Sequence, residues 1–310
     1  MKNKLLLLII SLFSMFLLSA CGIIPNAGIS EAKEIDWSAR KNFVRVKTTS
    51  YSADGVITDI TEYAYDENLN SVANYCIIYN YQKIFTDLGP EHDVTPANPY
   101  RQIVIFEPSS NDTPATAICY QADDFTVLNR NLYEYNEDGK CTKMSLCTPE
   151  GTCYNTYDYE YDEAGNQIKE TYTKFLDSYI LYSVDQYTYD DLNRKTSGST
   201  IVYTGLYDDD RKAAISESTE QYSYNKSTGE CTVEVRDAKE GSVSEKRIIT
   251  YDANGNKIKE ETYEKSKSNS RLVCTGWKEY EYRLKSNLSE GHIPEKIQKT
   301  IDEIKKAERK

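Results

Sequence analysis

The feature that most constrains the fold is a tyrosine-rich turn that recurs along the chain. Its clearest copy is YEYDEAGNQIKE at 159–170, and related segments begin at Tyr133, Tyr187, Tyr222 and Ile249. In each copy an Asp or Asn can accept bonds from backbone amides across the turn. A Gly or Asn three or four residues later tolerates the left-handed conformation. Period-two alternation on both sides is typical of half-buried strands, so the sequence predicts a series of β-hairpins.

The turn also predicts which residues face each other across the hairpin. A loop over 162–165 would place Tyr159 opposite Ile168. The same rule at 252–255 would place Ile249 opposite Ile258 and Arg247 opposite Glu260. On this register one face carries a stripe of tyrosines: Tyr157, Tyr159, Tyr161, Tyr187, Tyr189, Tyr222 and Tyr224. This face is either the covered core of the sheet or an exposed aromatic surface that binds glycans or another protein.

Second turns between the repeated ones predict that the chain runs back and forth. We therefore predict an all-β fold, a long antiparallel β-meander sheet over residues 41–290, with the clearest repeats at 125–285. The 27 tyrosines suit this fold, because each can bury a ring while its hydroxyl stays hydrated or hydrogen-bonded. Tyrosine and threonine also favour strands.

The Tyr-Asp-x-x-Gly-Asn core at 161–166 and 251–256 resembles the YD-repeat family, also called Rhs-type repeats. A divergent copy, YAYDENLNS, begins at Tyr63. The resemblance implies a long β-sheet ribbon, often on secreted or surface proteins, and in large members the ribbon closes into a shell around a toxin. This chain is far shorter and has no separate toxin domain after its repeats, so a closed shell is not expected.

The first residues predict export and lipid attachment. Lys2 and Lys4 precede an apolar run over 5–18 that is shorter than the roughly 20 residues of a membrane-spanning helix. We interpret 1–20 as a signal peptide. Leu18-Ser19-Ala20-Cys21 resembles the lipobox of bacterial lipoproteins, which implies lipidation of Cys21 and membrane attachment through that lipid. The alternative is an ordinary signal peptide with a cysteine at its cleavage site.

These assignments place a membrane anchor near the first residues of the sequence, and the last residues predict a helix. Residues 21–40 would be a lipid-anchored tether on the extracytoplasmic face of a bacterial cell membrane. Residues 291–310 predict a C-terminal amphipathic helix that begins after Pro294. Its apolar stripe is Ile293, Ile297, Ile301 and Ile304. The stripe would pack on the sheet, or it would bind a partner or a membrane surface.

Seven cysteines remain besides Cys21, so at least one thiol is free. The segment CTPEGTC places Cys147 and Cys153 opposite each other on adjacent strands, close enough for a disulfide. The other cysteines are expected to be isolated thiols. We predict no metal site, because no CxxC pair or neighbouring histidine accompanies them. The two histidines are His92 and His292.

The net charge and the lack of catalytic motifs argue against some classes of function. The net charge of −12 without a basic patch argues against a nucleic-acid partner. No catalytic motif is recognisable, so we predict a protein without enzymatic activity or a cofactor. The expected function is a surface-anchored β-repeat lipoprotein acting as a binding, adhesion or scaffold module for a glycan or protein ligand. The alternatives are an envelope polysaccharide-processing hydrolase and an accessory protein of a toxin-delivery or immunity system.

Overall fold

A computed structural model describes residues 34–79, 99–108, 114–175, 179–206, 213–266 and 268–309. The predicted signal peptide, Cys21 and His92 lie outside the described residues. All statements about the structure below refer to these ranges.

The described residues form sixteen strands, and each is antiparallel to the next one along the chain. They are β1 (Phe43–Ser52), β2 (Ile57–Tyr65), β3 (Ser71–Ile78), β4 (Tyr100–Pro108), β5 (Pro114–Gln121), β6 (Val127–Tyr135), β7 (Cys141–Cys147), β8 (Cys153–Tyr161), β9 (Gln167–Phe175), β10 (Tyr179–Tyr189), β11 (Lys195–Leu206), β12 (Ala213–Asn225), β13 (Glu230–Asp237), β14 (Val243–Tyr251), β15 (Lys257–Lys265) and β16 (Leu272–Leu284). The prediction of an all-β fold is confirmed.

The sheet closes into a barrel, because β1 also pairs with β16. Their antiparallel register runs from Phe43 opposite Leu284 to Ser52 opposite Gly276. Outside the barrel, Tyr51 stacks on Trp277 with 5.0 Å between ring centroids. The sequence did not decide whether the sheet stays open or curls, and the structure shows that it closes. Closure hydrogen-bonds the two strand edges that an open sheet leaves exposed.

Each repeated turn is a short loop held by the side chain of its first residue, which is Asp or Asn. In the clearest copy the amide of Asp162 donates to the carbonyl of Asn166 at 2.9 Å, and the amide of Gly165 donates to the carbonyl of Asp162 at 3.0 Å. A carboxylate oxygen of Asp162 accepts the amide of Asn166 at 2.7 Å. Gly165 has a φ of 87°, in the region that glycine adopts without strain. Asp162 thus pairs with Asn166, and the loop is one residue shorter than predicted.

A β-bulge follows this turn and changes the predicted register. Tyr161 lies opposite Gln167, whereas Glu160 lies opposite Lys169. Ile168 is therefore the extra residue, and the predicted pairing of Tyr159 with Ile168 is wrong, since Tyr159 faces Glu170. The prediction for the last copy fails in the same way: Ile249 faces Glu260, and Arg247 faces Thr262. Bulges increase local twist and are common at barrel rims.

The repeated turns all lie at one end of the barrel, because each joins an even-numbered strand to the next odd-numbered one. We call this end the repeat rim; its turns are 66–70, 136–140, 162–166, 190–194, 225–229 and 252–256. At the opposite rim the structure joins Cys147 to Cys153 by a disulfide across the 148–152 turn. Cys76, Cys119, Cys141, Cys231 and Cys274 are free thiols.

The C-terminal helix, α1 (Glu295–Glu308), packs on the outside of β2–β5. Ile297, Ile301 and Ile304 are almost completely buried, whereas Ile293 precedes the helix and is exposed. Their cluster includes Ala64, which points away from its neighbours Tyr63 and Tyr65 on β2. Within the described ranges no helix has the length and apolar character needed to cross a membrane.

Substitution of Gly276 should open the seam between β1 and β16. A Cβ there would overlap the carbonyl oxygen of Tyr51. We expect Gly276→Ala to lower the free energy of unfolding by about 2 kcal/mol or more. Amide hydrogen exchange should become faster in β1 and β16. The control is Gly241→Ala, whose Cβ meets no neighbour and whose positive φ costs about 1 kcal/mol. Equal losses for the two variants, with unchanged exchange at the seam, would contradict this account of closure.

Truncation of Ile301 should destabilise the protein through the helix. Its side chain is 3% exposed against the outer wall. Loss of a buried isoleucine of this kind costs about 2–5 kcal/mol. Urea unfolding of Ile301→Ala should show this loss, and Glu303→Ala, on the exposed side of the same helix, should change stability by less than about 0.5 kcal/mol. A neutral Ile301→Ala would mean that the helix does not hold to the barrel in solution.

Candidate functional site

The repeat tyrosines face the inside of the barrel. One cavity is lined by side chains from β1, β10–β12 and β14–β16. In a closed barrel, strands so far apart on the circumference can share a cavity only inside. Tyr189, Tyr222 and Tyr224 line this cavity. The strand register places Tyr157, Tyr159, Tyr161 and Tyr187 on the same inner face. The seven tyrosines therefore form an internal surface, not an outer one.

The outer wall is charged at the alternate positions. Lys169 pairs with Glu160 at 2.6 Å, and Lys47 pairs with Glu281 at 3.0 Å. Lys143 and Glu134 approach to 3.8 Å on the same wall. An Arg or Lys side chain that faces lipid at the middle of a membrane lowers the stability of a barrel by about 2–4 kcal/mol. These parts of the outer wall are suited to contact with water.

The internal cavity, which we call the chamber, has a volume of about 590 Å³ and lies at the repeat rim. Barrels of about 16 strands are too wide for their own side chains to fill, so an internal space is expected. Its wall mixes aromatic rings with charged groups. The side chains that matter most below are Arg45, Lys195, Tyr222, Tyr224, Arg247 and Glu260.

Arg247 is the centre of a charge network inside the barrel. Its guanidinium group pairs with Glu220 and lies 4.0 Å from Glu260. Its Nε atom lies 3.0 Å from Glu245, an ion pair without hydrogen-bond geometry. Burial alone would lower the pKa of Arg247, but the carboxylates, Glu220 foremost, raise it above its ordinary value. Arg247 therefore keeps its charge and holds three acidic side chains together.

Two of these carboxylates have opposite pKa shifts. Burial raises the pKa of Glu245. Burial would also raise the pKa of Glu260, but Lys257 at 2.8 Å and the Tyr280 hydroxyl at 2.8 Å outweigh it, and the pKa is lowered. Glu260 is thus ionised at neutral pH, and Tyr280 donates to it. The carboxylate that lines the chamber is already neutralised by its neighbours.

Arg45 and Lys195 contact tyrosine side chains in place of carboxylates. The Arg45 guanidinium carbon lies 4.8 Å from the ring centroid of Tyr280, and its Nε is buried without a hydrogen-bond partner. The Lys195 ammonium lies 3.2 Å from the ring centroid of Tyr187. Burial lowers the pKa of Lys195. In the part of the chain that the structure describes, neither side chain has a carboxylate within ion-pair distance.

The segment before β1 contacts the repeat rim. We call residues 34–42 the strap. The amide of Asp36 donates to the carbonyl of Ala253 at 2.9 Å. The ring of Trp37 packs edge-on against Tyr251 at 4.8 Å and Tyr224 at 5.7 Å. Residues 34–40 were expected to belong to the tether, but they lie on the barrel, where Trp37 and Arg40 complete one side of the chamber.

Comparison with known proteins gives little beyond the fold. No family model matches the chain, and no curated protein matches it. A solved structure of a porin-like protein from Bacteroides uniformis ATCC 8492 is 12% identical, covering 78% of this chain and 98% of its own, with a TM-score of 0.41. The TcdB2-TccC3 structure is 9% identical, covering 77% of this chain and 15% of its own, with a TM-score of 0.27.

A protein of unknown function from Bacteroides fragilis NCTC 9343 is 14% identical and covers 57% of this chain and 96% of its own, with a TM-score of 0.17. These likenesses are too weak to support a statement about function.

Sequence reasoning placed the tyrosines on one face and Arg247 beside Glu260, but it missed Glu220. Glu220 lies two residues before Tyr222, so period-two counting along the strand could have found it. Nothing in the sequence indicated that Trp37 would contact Tyr224 and Tyr251. No group of three or more metal-ligating side chains occurs among the described residues.

Removal of the Arg247 charge should destabilise the barrel in a pH-dependent way. Arg247→Met leaves Glu220, Glu245 and Glu260 together without their common partner. Breaking a buried pair from one side costs about 3–5 kcal/mol. The matched control is Arg236→Met, whose pair with Glu234 is about 40% exposed, so its loss should cost less than about 1 kcal/mol. Urea unfolding at about pH 7 measures both.

The pH dependence has a definite sign. In the native protein the lowered pKa of Glu260 adds stability that is lost as pH falls through that pKa. In Arg247→Met, Glu245 and Glu260 lose their attraction to the guanidinium group and their pKa values rise, so protonation relieves them as pH falls. The stability gap between the two proteins should therefore shrink at about pH 4. A gap that is constant with pH would show that Arg247 acts through packing alone.

Proposed function

We propose that this protein is a lipid-anchored envelope protein that binds a soluble ligand inside its barrel. The resemblance to YD-repeat proteins and the signal peptide with Cys21 support the surface location. The chamber supports the binding function. The protein would act as a non-enzymatic binding module, with the ligand inside the barrel instead of on an outer tyrosine surface.

The observation that carries the proposal is a hollow interior lined by tyrosines. A chamber of about 590 Å³ falls in the size range of small-molecule sites, roughly 300–1,000 Å³. Tyrosine and tryptophan provide flat apolar surface together with hydrogen-bonding groups, which suits them to recognition. A sugar ring has the same combination of apolar faces and polar edges. We therefore favour a short saccharide over a protein as the ligand.

Binding is a better interpretation than hydrolysis. A glycoside hydrolase needs one protonated carboxyl group beside the scissile bond. Glu260, the carboxylate that lines the chamber, has a lowered pKa and is held by Lys257 and Tyr280. Glu245 has a raised pKa, but it pairs with Arg247 and is not among the residues that line the chamber. The carboxylate that does line the chamber, Glu260, is ionised and is therefore unsuited to act as the acid.

The location is supported by the position of the strap. The strap is the described segment nearest to Cys21 in the sequence, and its Asp36 and Trp37 lie at the repeat rim. A lipid on Cys21 would accordingly hold the barrel by that end. The barrel itself would stand in water, which its charged outer wall suits. Labelling with radioactive palmitate, and its loss in Cys21→Ala, would test the anchor separately from the binding function.

A glycan array tests the chamber. Binding by the native protein should fall by about tenfold or more in Tyr224→Ala, because a ring of the chamber wall is lost. Tyr263→Ala is the matched control, since this tyrosine points to the outer wall. Circular dichroism should show that both variants fold. Undiminished binding in Tyr224→Ala, with binding lost in Tyr263→Ala, would place the ligand outside and overturn the proposal.

A further inference from the structure

We infer that the chamber binds an acidic saccharide, one that carries a carboxylate or phosphate group, and that Arg45 and Lys195 hold this group. The inference rests on the proposed function, which it deepens by naming the ligand class. Its starting point is the sign of the charge around the chamber.

The chamber is cationic in a protein that is acidic overall. The whole chain has a net charge of −12. Six cations line the chamber, whereas Glu260 is the one carboxylate among the described residues that line it. The cations are Arg40, Arg45, Arg194, Lys195, Arg247 and Lys257. The acidic outer surface repels anions, whereas the cationic wall of the chamber attracts them. Anions would therefore bind at the chamber in preference to the rest of the protein.

Half of these cations are already neutralised by the protein. Arg194 pairs with Asp190 at 2.6 Å, and Lys257 pairs with Glu260 at 2.8 Å. Arg247 is surrounded by its own three carboxylates. The described residues provide no ion pair for Arg40, Arg45 or Lys195. Three positive charges around the chamber are therefore available for a ligand.

The surroundings of Arg45 suit the binding of an anion. Its guanidinium is held in place by the rings of Tyr63, Tyr280 and Tyr282, at 6.0, 4.8 and 6.0 Å from their centroids. Its Nε is buried and has no hydrogen-bond partner. A buried donor of this kind costs about 1–3 kcal/mol unless it is satisfied. A planar guanidinium matches the two oxygens of a carboxylate or phosphate.

Lys195 provides the second charge. Its ammonium lies against the Tyr187 ring, and burial lowers its pKa. The charges of Glu220, Glu170 and Asp185 raise the pKa of Lys195, and the charge of Arg247 lowers it. The three carboxylates do not outweigh the effect of burial. A bound anion would offset the remaining cost of burying the charge. The rings of Tyr222 and Tyr224 line the same chamber and can face the sugar.

Isothermal titration of the full-length protein in detergent tests the inference. The ligands are trigalacturonate and phosphorylated maltotriose, each compared with neutral maltotriose at low and high salt. We expect at least one acidic saccharide to bind about tenfold more tightly than the neutral one, with the preference reduced by salt. The two acidic ligands distinguish a carboxylate site from a phosphate site.

The variants Arg45→Gln and Lys195→Gln should each lower the affinity for the acidic saccharide more than the affinity for maltotriose, so that the preference falls by about tenfold. Lys246→Gln, on the outer wall, is the matched control and should keep the preference. Equal affinity for acidic and neutral saccharides, or a preference that survives in the Arg45→Gln Lys195→Gln double variant, overturns the inference. If maltotriose binding is lost in Tyr224→Ala but no acidic preference exists, only the inference fails. If none of the three ligands binds, the inference and the proposed saccharide ligand both fail.

Discussion

The hydrogen bonds between β1 and β16 are the interaction on which the rest of the structure depends. They join residues more than 220 positions apart along the chain, from Phe43 and Leu284 to Ser52 and Gly276. Without them the same hairpins would form an open sheet with two unpaired edges. Closure gives each strand an inside and an outside, and it turns a stripe of tyrosines into the wall of a chamber.

The repeated hairpin supplies the geometry that closure requires. Its first residue, Asp or Asn, fixes a short loop, and the extra residue after the loop adds twist to the returning strand. Val72, Thr142, Ile168, Thr196 and Ile258 occupy this bulge in five copies, whereas the copy between β12 and β13 pairs without a bulge. Leu69 adopts a φ of 66° where later copies have glycine or asparagine, so the divergent first copy keeps the same loop. Repetition of one local shape thus bends the ribbon evenly around its circumference.

The local features of this fold could be predicted from the sequence, but the long-range ones could not. Asp162 and Gly165 identify their turn, and alternation places Tyr159 and Tyr161 on one face. The register failed by one residue because no sequence signal distinguishes a four-residue loop from a three-residue loop followed by a bulge. Closure depends on two strand edges meeting across the whole chain. The Arg247 network joins side chains of β12, β14 and β15 across the intervening β13, so neither feature can be read from neighbouring residues.

The strap makes the two ends of the barrel inequivalent. Its Trp37 packs against Tyr224 and Tyr251 at the repeat rim, and the opposite rim carries no such segment among the described residues. Trp37 also lines the chamber. If a lipid on Cys21 holds the protein as we propose, the described segment nearest to the anchor in the sequence is also part of the chamber wall. Membrane attachment and ligand binding would then share one short segment of the chain.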